Sequence, residues 1–313
     1  MKHLSSVSAY YIRVFGSKAF RLTVGGRGAC PNRAADGSGG CLYCDALGSV
    51  TDDLKPDQPL REQIRERRIP GTKQIIYFQS FTTTFDDDEF LRAQFEEALE
   101  WEGIVGLAVG TRPDCISDRM WEILADLNRR THLELELGLQ SAHDPTLALI
   151  GRGHGVKAFE DAVRKAAALD IKVVAHIIAG LPGETMEQFL ETVEYLNALP
   201  IHGLKLHPLH VMGTSPMARL YRISTMLEGG EVLQTGGYPD LRILTRDAYT
   251  GMAVEALSRL RGDIVIYRVT GARRSSDFRG PRWLLKKAEY IRLIRMALKG
   301  RGVEWRYRSV NGK

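Results

Sequence analysis

Four cysteines in 313 residues are too few for a disulfide scaffold. No run of about 18 apolar residues occurs, so no membrane span is expected. The opening Met1-Lys-His-Leu-Ser-Ser lacks the apolar core of a secretion signal. Together these absences lead to the expectation of a reducing, cytoplasmic setting with no membrane partner. Internal repeats and low-complexity tracts are missing, and no G-x-G-x-x-G marks the first βα turn, so a flat doubly wound sheet stands only as the alternative fold. What remains is ordinary globular composition, 44% hydrophobic and 26% charged.

Charge is unevenly spread. The net value is +5, yet residues 261–313 hold 15 Lys/Arg against 4 Asp/Glu, while the first 260 hold 28 against 34. A basic C-terminal segment on a mildly acidic body suggests an anionic partner, nucleic acid among the candidates, or simply a solvated helix face.

Three of the four cysteines fall in one short loop, Cys30, Cys41 and Cys44, spaced C-x10-C-x2-C. The loop is rich in Gly with Asn and Asp, which favours neither helix nor strand. Thiolates suit iron–sulfur clusters and zinc. Three ligands on a cubane cluster leave one iron open for a substrate or cofactor. A closed structural zinc site takes four ligands, and no second C-x2-C or H-x3-5-H follows, so zinc would have to recruit Cys115 or a distant histidine. Cys115 itself could be a fourth ligand, a relay thiol or a plain buried cysteine.

Along the chain, apolar runs of strand length at 21–24, 74–78, 104–109, 133–137, 171–178 and 204–211 alternate with helical patterns. Ser117 and Thr185 stand as helix N-caps, the latter with Gln188 in a T-x-x-Q capping box. About six βα units predict an α/β fold, a partial (β/α)6 TIM-like parallel barrel, with functional residues at the C-terminal strand ends. The rhythm ends near residue 222. The predicted organisation is a lead-in over 1–19, a barrel core over 20–222, and a basic α+β C-terminal extension over 223–313.

Several motifs, in order, carry a resemblance: Cys30-Pro-Asn-Arg33, Gly40-Cys-Leu-Tyr-Cys44, Tyr77-Phe-Gln-Ser80, Gly110-Thr-Arg-Pro-Asp114, Glu136-Leu-Gly-Leu-Gln-Ser141, Gly151-Arg-Gly-His154, Gly180-Leu-Pro-Gly-Glu184 and Leu206-His-Pro-Leu-His210. They span roughly two-thirds of the chain. The chain resembles radical S-adenosylmethionine (radical SAM) enzymes, within them the YhcC-type group, close to the elongator-type proteins. The most widespread radical SAM pattern is C-x3-C-x2-C; the longer first gap here is typical of these two branches.

The resemblance implies that Cys30, Cys41 and Cys44 hold a [4Fe-4S] cluster whose free iron chelates S-adenosylmethionine. Reductive cleavage would give a 5′-deoxyadenosyl radical that abstracts a substrate hydrogen, with a flavodoxin- or ferredoxin-like protein as electron donor. Tyr43 matches the aromatic near the adenine. Ser80, Phe81 and Thr82 stand at the turn that meets the cofactor's amino group. Gln140 matches a polar cofactor contact, Arg152 the arginine that pairs its carboxylate, and Ile178 a backbone contact to adenine. Tyr43 has a plainer alternative in core packing, and Arg152 in a surface charge. At His176 some relatives carry an Asp for the ribose, and Gly110 stands where other branches have an acidic residue. Lys205, His207 and His210, at the sixth strand's end, could reach substrate.

Substrate is not legible from these motifs. The basic extension, with Trp283, Trp305 and Tyr307 interleaved, makes RNA a candidate, since aromatic and basic residues together stack bases and hold phosphates. Elongator-type relatives act on tRNA, though with an acetyltransferase domain absent from these 313 residues. The competing class is a zinc-stabilised nucleic-acid-binding module without catalysis.

Overall fold

The computed structural model describes residues 2–26, 29–34, 38–46, 48, 58–79, 81–220, 243–271 and 276–306. The six expected strands are present and parallel: β2 (Ala19–Val24), β3 (Lys73–Phe78), β4 (Ile104–Thr111), β5 (His132–Gln140), β6 (Lys172–Ala179) and β7 (Gly203–Pro208). They neighbour one another in sequence order, and β9 (Val265–Arg268) adds a seventh parallel strand beside β7. An open, sequentially ordered parallel sheet with crossover helices is the architecture of a partial barrel. The seventh strand comes from the segment that the sequence assigns to the extension, so part of that segment completes the sheet.

The helices that follow the strands form the outer layer: α2 (Leu60–Arg67), α3 (Asp88–Leu99), α4 (Asp118–Arg130), α5 (Asp144–Leu149), α6 (Val156–Ala168), α7 (Met186–Asn197) and α8 (Arg246–Arg259). Their starts follow local chemistry. Ser117 Oγ accepts from the Met120 N–H at 2.9 Å, and Thr185 with Gln188 forms the reciprocal capping box. Each such cap is worth about 1 kcal/mol. Phe95, Phe159 and Phe189 are fully buried between this layer and the sheet, packed with Leu133, Leu135 and Leu137 of β5.

The lead-in contains β1 (Lys2–Ser5) and α1 (Val7–Phe15). Tyr10 and Tyr11 of α1 pack with Ile75, Ala108 and Val265, and their rings meet His132 at the start of β5. The helix thus plugs the N-terminal end of the barrel and leaves the other end open. β1 pairs in parallel with β11 (Val303–Arg306), which follows α9 (Lys287–Gly300), so the two ends of the described chain are joined. Near the open end, β8 (Val211–Met212) pairs antiparallel with β10 (Phe278–Gly280).

Trp305 is buried, and Trp283 stacks on Tyr249 at 5.5 Å while donating its indole N–H to the Leu244 carbonyl. Trp305 is a core residue and Trp283 is half-buried against the core, which corrects their expected role in stacking bases; Tyr307 lies outside the described residues. Arg292, Arg295 and Lys299 remain as an exposed basic row on α9. Among the described residues no helix is long and apolar enough to cross a membrane.

Candidate active site

A cavity of about 360 Å³ opens at the C-terminal ends of the strands, where parallel barrels carry their reactive groups. The loop after β2 brings Cys30, Cys41 and Cys44 to its wall. Phe81 and Thr82 reach it after β3, Gln140 from the end of β5, Arg152 from the turn after α5 and Ile178 from β6. Tyr43, Lys205, His207 and His210 also line it. One cavity therefore collects the sequence-predicted site residues from across the chain. Ser80 lies outside the described residues, and Cys115, a free cysteine like the others, is not among the lining residues.

Asn32 docks the cysteine loop. Its side-chain N–H groups reach the carbonyls of Gly151 and Arg152, both at 2.8 Å, and Cys41 Sγ at 3.5 Å. Leu42 N–H donates to the Ile150 carbonyl at 2.8 Å. Gly153 permits this approach: at φ +78 it has the left-handed backbone that glycine tolerates, and a Cβ there would stand 2.0 Å from Asn32 Oδ1.

Arg152 is buried. Its guanidinium donates to the Gly138 carbonyl at 2.9 Å and to Cys41 Sγ at 3.8 Å, while its Nε–H has no partner among the described residues. Gly138 makes room, since a Cβ there would meet the guanidinium at 2.6 Å. An Arg held with one donor spare is prepared for a carboxylate. Tyr43 packs with Ile178, Leu42 and Leu209 in an apolar cluster beside Cys41, the chemistry a flat heterocycle needs.

Backbone strain falls on the same wall. Only three non-glycine residues among those described have positive φ, and two are Phe81 (φ 44) and Gln140 (φ 76). Left-handed backbone in such residues persists where surrounding structure holds it and gathers at functional sites. The Phe81 ring lies under the Arg33 guanidinium, with the ring centroid 5.3 Å from Cζ.

Burial pushes the Cys44 thiol up to about 11, and the Cys115 thiol beside Asp114 up to about 12. A bound cation would reverse the first effect by favouring the thiolate. Among the described residues no three His, Cys, Asp or Glu side chains stand as a ready single-ion site. Three free thiols around one cavity, with N–H donors on Cys41 from Asn32 and Arg152, do fit a multi-iron cluster, whose sulfurs accept such hydrogen bonds.

Below the cavity, the barrel interior is charged. Arg21 donates to both Glu134 and Glu136, Lys205 donates to Glu136, and His176 Nε2 lies 3.0 Å from Glu136 Oε2. Tyr267 and Tyr11 donate their hydroxyls to Glu134 at 2.6 and 3.0 Å. Burial, the largest single effect, would raise both carboxyls, but Arg21 acting with His132 and Tyr267 on Glu134, and with Lys205 and His176 on Glu136, outweighs it, holding Glu134 at about 2 and Glu136 well below the ordinary value. Burial likewise lowers Lys205 to about 7 against the pull of Glu136. The sequence reading passes over Glu134 and Arg21, and it names His176 and Lys205 without their pairing to Glu136. Their only signal is the Leu-Glu-Leu-Glu-Leu alternation, which reads as a strand with one wet face.

Residues 29–196 match the family described as Radical SAM superfamily. Over 304 residues the chain is 35% identical to the YtqA protein of Bacillus subtilis (strain 168), covering 94% of this chain and 89% of that protein. Over 276 residues it is 33% identical to the YhcC protein of Escherichia coli (strain K12), covering 87% and 84%. Among solved structures, archaeal Methanocaldococcus infernus Elp3 with an N-terminal deletion superposes with a TM-score of 0.60 at 16% identity, covering 80% of this chain and 59% of that one. That likeness is one of fold.

Proposed function

The chain belongs to the radical SAM superfamily, and on that premise we propose that Cys30, Cys41 and Cys44 carry a [4Fe-4S] cluster that works with S-adenosylmethionine in the cavity above β2–β7. One observation carries the reading: three free thiols share one cavity wall with the buried, partly unsatisfied Arg152. A cluster held by these thiols would supply one-electron chemistry, drawn from an external reductant, for breaking a C–S bond of the sulfonium cofactor.

The protein's own residues orient and enclose. Arg152 pairs the cofactor carboxylate through its spare N–H while its other donors stay on Gly138 and Cys41. Tyr43 would lie against the adenine from the apolar cluster it shares with Ile178, and Ile178 would meet the adenine through its backbone. Phe81, Thr82 and Gln140 shape the amino-group side, and Ser80 belongs with them by its place in the chain. The apolar wall and the plugged barrel end keep bulk water from the reacting atoms.

An external electron donor of the flavodoxin or ferredoxin kind completes the system. RNA is the candidate substrate class that the exposed row Arg292, Arg295 and Lys299 supports. The cofactor reading is tested by anaerobic incubation with labelled S-adenosylmethionine and dithionite. Formation of 5′-deoxyadenosine supports it, and its absence from a cluster-loaded protein removes it.

A further inference from the structure

The cavity has two walls of different chemistry. The cysteine loop, Tyr43 and Arg152 make one. The other is built by the ends of β7 and β9, with Lys205, His207 and Arg268. The charge on this second wall is not balanced.

In the barrel interior the cations Arg21 and Lys205 face the carboxylates Glu134 and Glu136, and each is engaged. His176 adds no charge near neutrality, since burial lowers it to about 4. Arg268 stands outside this balance. It lines the cavity at the end of β9 and is exposed, and its guanidinium makes no hydrogen bond or ion pair among the described residues. Its charge reaches inward, where it helps to depress His207, whose proton affinity burial has already lowered. His207 also lines the cavity. Its ring stacks on His176 at 5.6 Å, and its buried Nε2 has no partner among the described residues. A buried polar atom without a partner is costly, and native structures rarely keep one without a reason.

We propose that this wall is a subsite for an anionic group of the substrate, a carboxylate or a phosphate, gripped by the Arg268 guanidinium with a second donor from His207 Nε2–H. Both features left over by the fold are satisfied by one oxyanion. The Arg fork matches planar and tetrahedral oxyanions alike. Lys205 is not the gripping cation, because Glu136 and Tyr77 already occupy its ammonium. Its charge still reaches His207, so it adds to the positive field of the wall. The subsite shares one cavity with the cofactor wall, so an anion held here sets which part of the substrate meets the radical. The inference rests on the radical SAM reading for the identity of that other wall.

The test uses the full chain, reconstituted without oxygen, titrated separately with inorganic phosphate and with acetate at constant ionic strength and followed by NMR. Saturable binding of at least one anion is expected. Arg268→Gln should weaken it about tenfold, the loss of one charge-assisted hydrogen bond, and Arg268→Lys should restore part of it. His207→Gln should weaken it less. Preference for phosphate points to a nucleotide or its polymer; preference for acetate points to a carboxylate-bearing group. Circular dichroism and iron content check that each variant is folded and loaded. Absence of saturable binding of either anion, or an Arg268→Gln protein that binds like the parent, overturns the subsite. Cofactor cleavage by the unmutated chain is measured alongside. A protein that cleaves the cofactor but shows no Arg268-dependent binding loses only the subsite, whereas one that cannot cleave loses the functional reading.

Discussion

The guanidinium of Arg152 donates to Cys41 Sγ at 3.8 Å, joining two residues 111 positions apart. The turn after α5 and the loop after β2 meet there, with Asn32 as the clasp. A cation beside one proposed cluster ligand, with a donor still spare, suits a negatively charged cofactor end. Arg152→Gln should therefore raise the KM for S-adenosylmethionine by about ten- to a hundredfold, with Arg152→Lys between it and the parent. Steady-state formation of 5′-deoxyadenosine measures both.

The cysteines divide by the cavity they line. Cys30→Ala, Cys41→Ala and Cys44→Ala should each lose the brown colour and most of the iron, about four atoms per chain when loaded. Cys115→Ala should keep both, because Cys115 does not line the cavity. Iron and sulfide assays with the visible spectrum decide it.

Much of the fold and site is legible in the chain, for physical reasons. Strands buried on both faces are written as apolar runs such as 74–78, and helix starts are marked where a side chain must satisfy free N–H groups, as at Ser117 and Thr185. The candidate residues come from motifs, and the converging C-terminal ends of parallel strands explain why they line one cavity. What stays hidden is long-range. Glu134 and Glu136 alternate with leucines as if facing water, yet the barrel turns them onto Arg21 and Lys205, so both are buried. The seventh strand is short and lies beyond residue 222, with no local sign that it returns to β7. Trp283 and Trp305 look available in the sequence because a basic surface and an apolar core can occupy opposite faces of one segment.

The buried charge network is a stability device with a clear weak point. Glu136 accepts from Arg21 and Lys205 and lies 3.0 Å from His176. Glu136→Ala leaves Lys205 without its carboxylate and should cost about 3 kcal/mol, the lower end for breaking a buried ion pair, because Arg21 keeps Glu134. Urea unfolding at constant pH reads the change. A loss under about 1 kcal/mol would show that water or rearrangement compensates.

Glu184 gives a pH dependence of known sign. Burial pushes its carboxyl up to about 7, against the pull of the Ser141 hydroxyl, which donates to Oε1 at 2.5 Å, while Oε2 has no partner among the described residues. An acid raised above its unfolded value binds its proton more tightly in the fold. Its contribution is therefore present in full below about 4.5 and lost as pH rises through about 7. Glu184→Gln keeps an acceptor for Ser141 without the charge. It should stabilise the protein by about 2 kcal/mol at pH 8 and by little at pH 5. Thermal melts at the two values test this; equal shifts at both would contradict it.

The exposed row on α9 carries the RNA proposal. Replacing Arg292, Arg295 and Lys299 together with alanine should weaken RNA binding and flatten its dependence on salt by about one unit of slope for each phosphate no longer neutralised. Filter binding from about 50 to 200 mM salt measures both. RNA that fails to bind the parent chain at low salt would remove this substrate class.

The measurement that bears most directly on the central claim is cofactor cleavage by the chain purified and reconstituted without oxygen. The account predicts a brown protein that turns S-adenosylmethionine into 5′-deoxyadenosine when dithionite is added. A colourless, zinc-bearing protein that leaves the cofactor intact would contradict it.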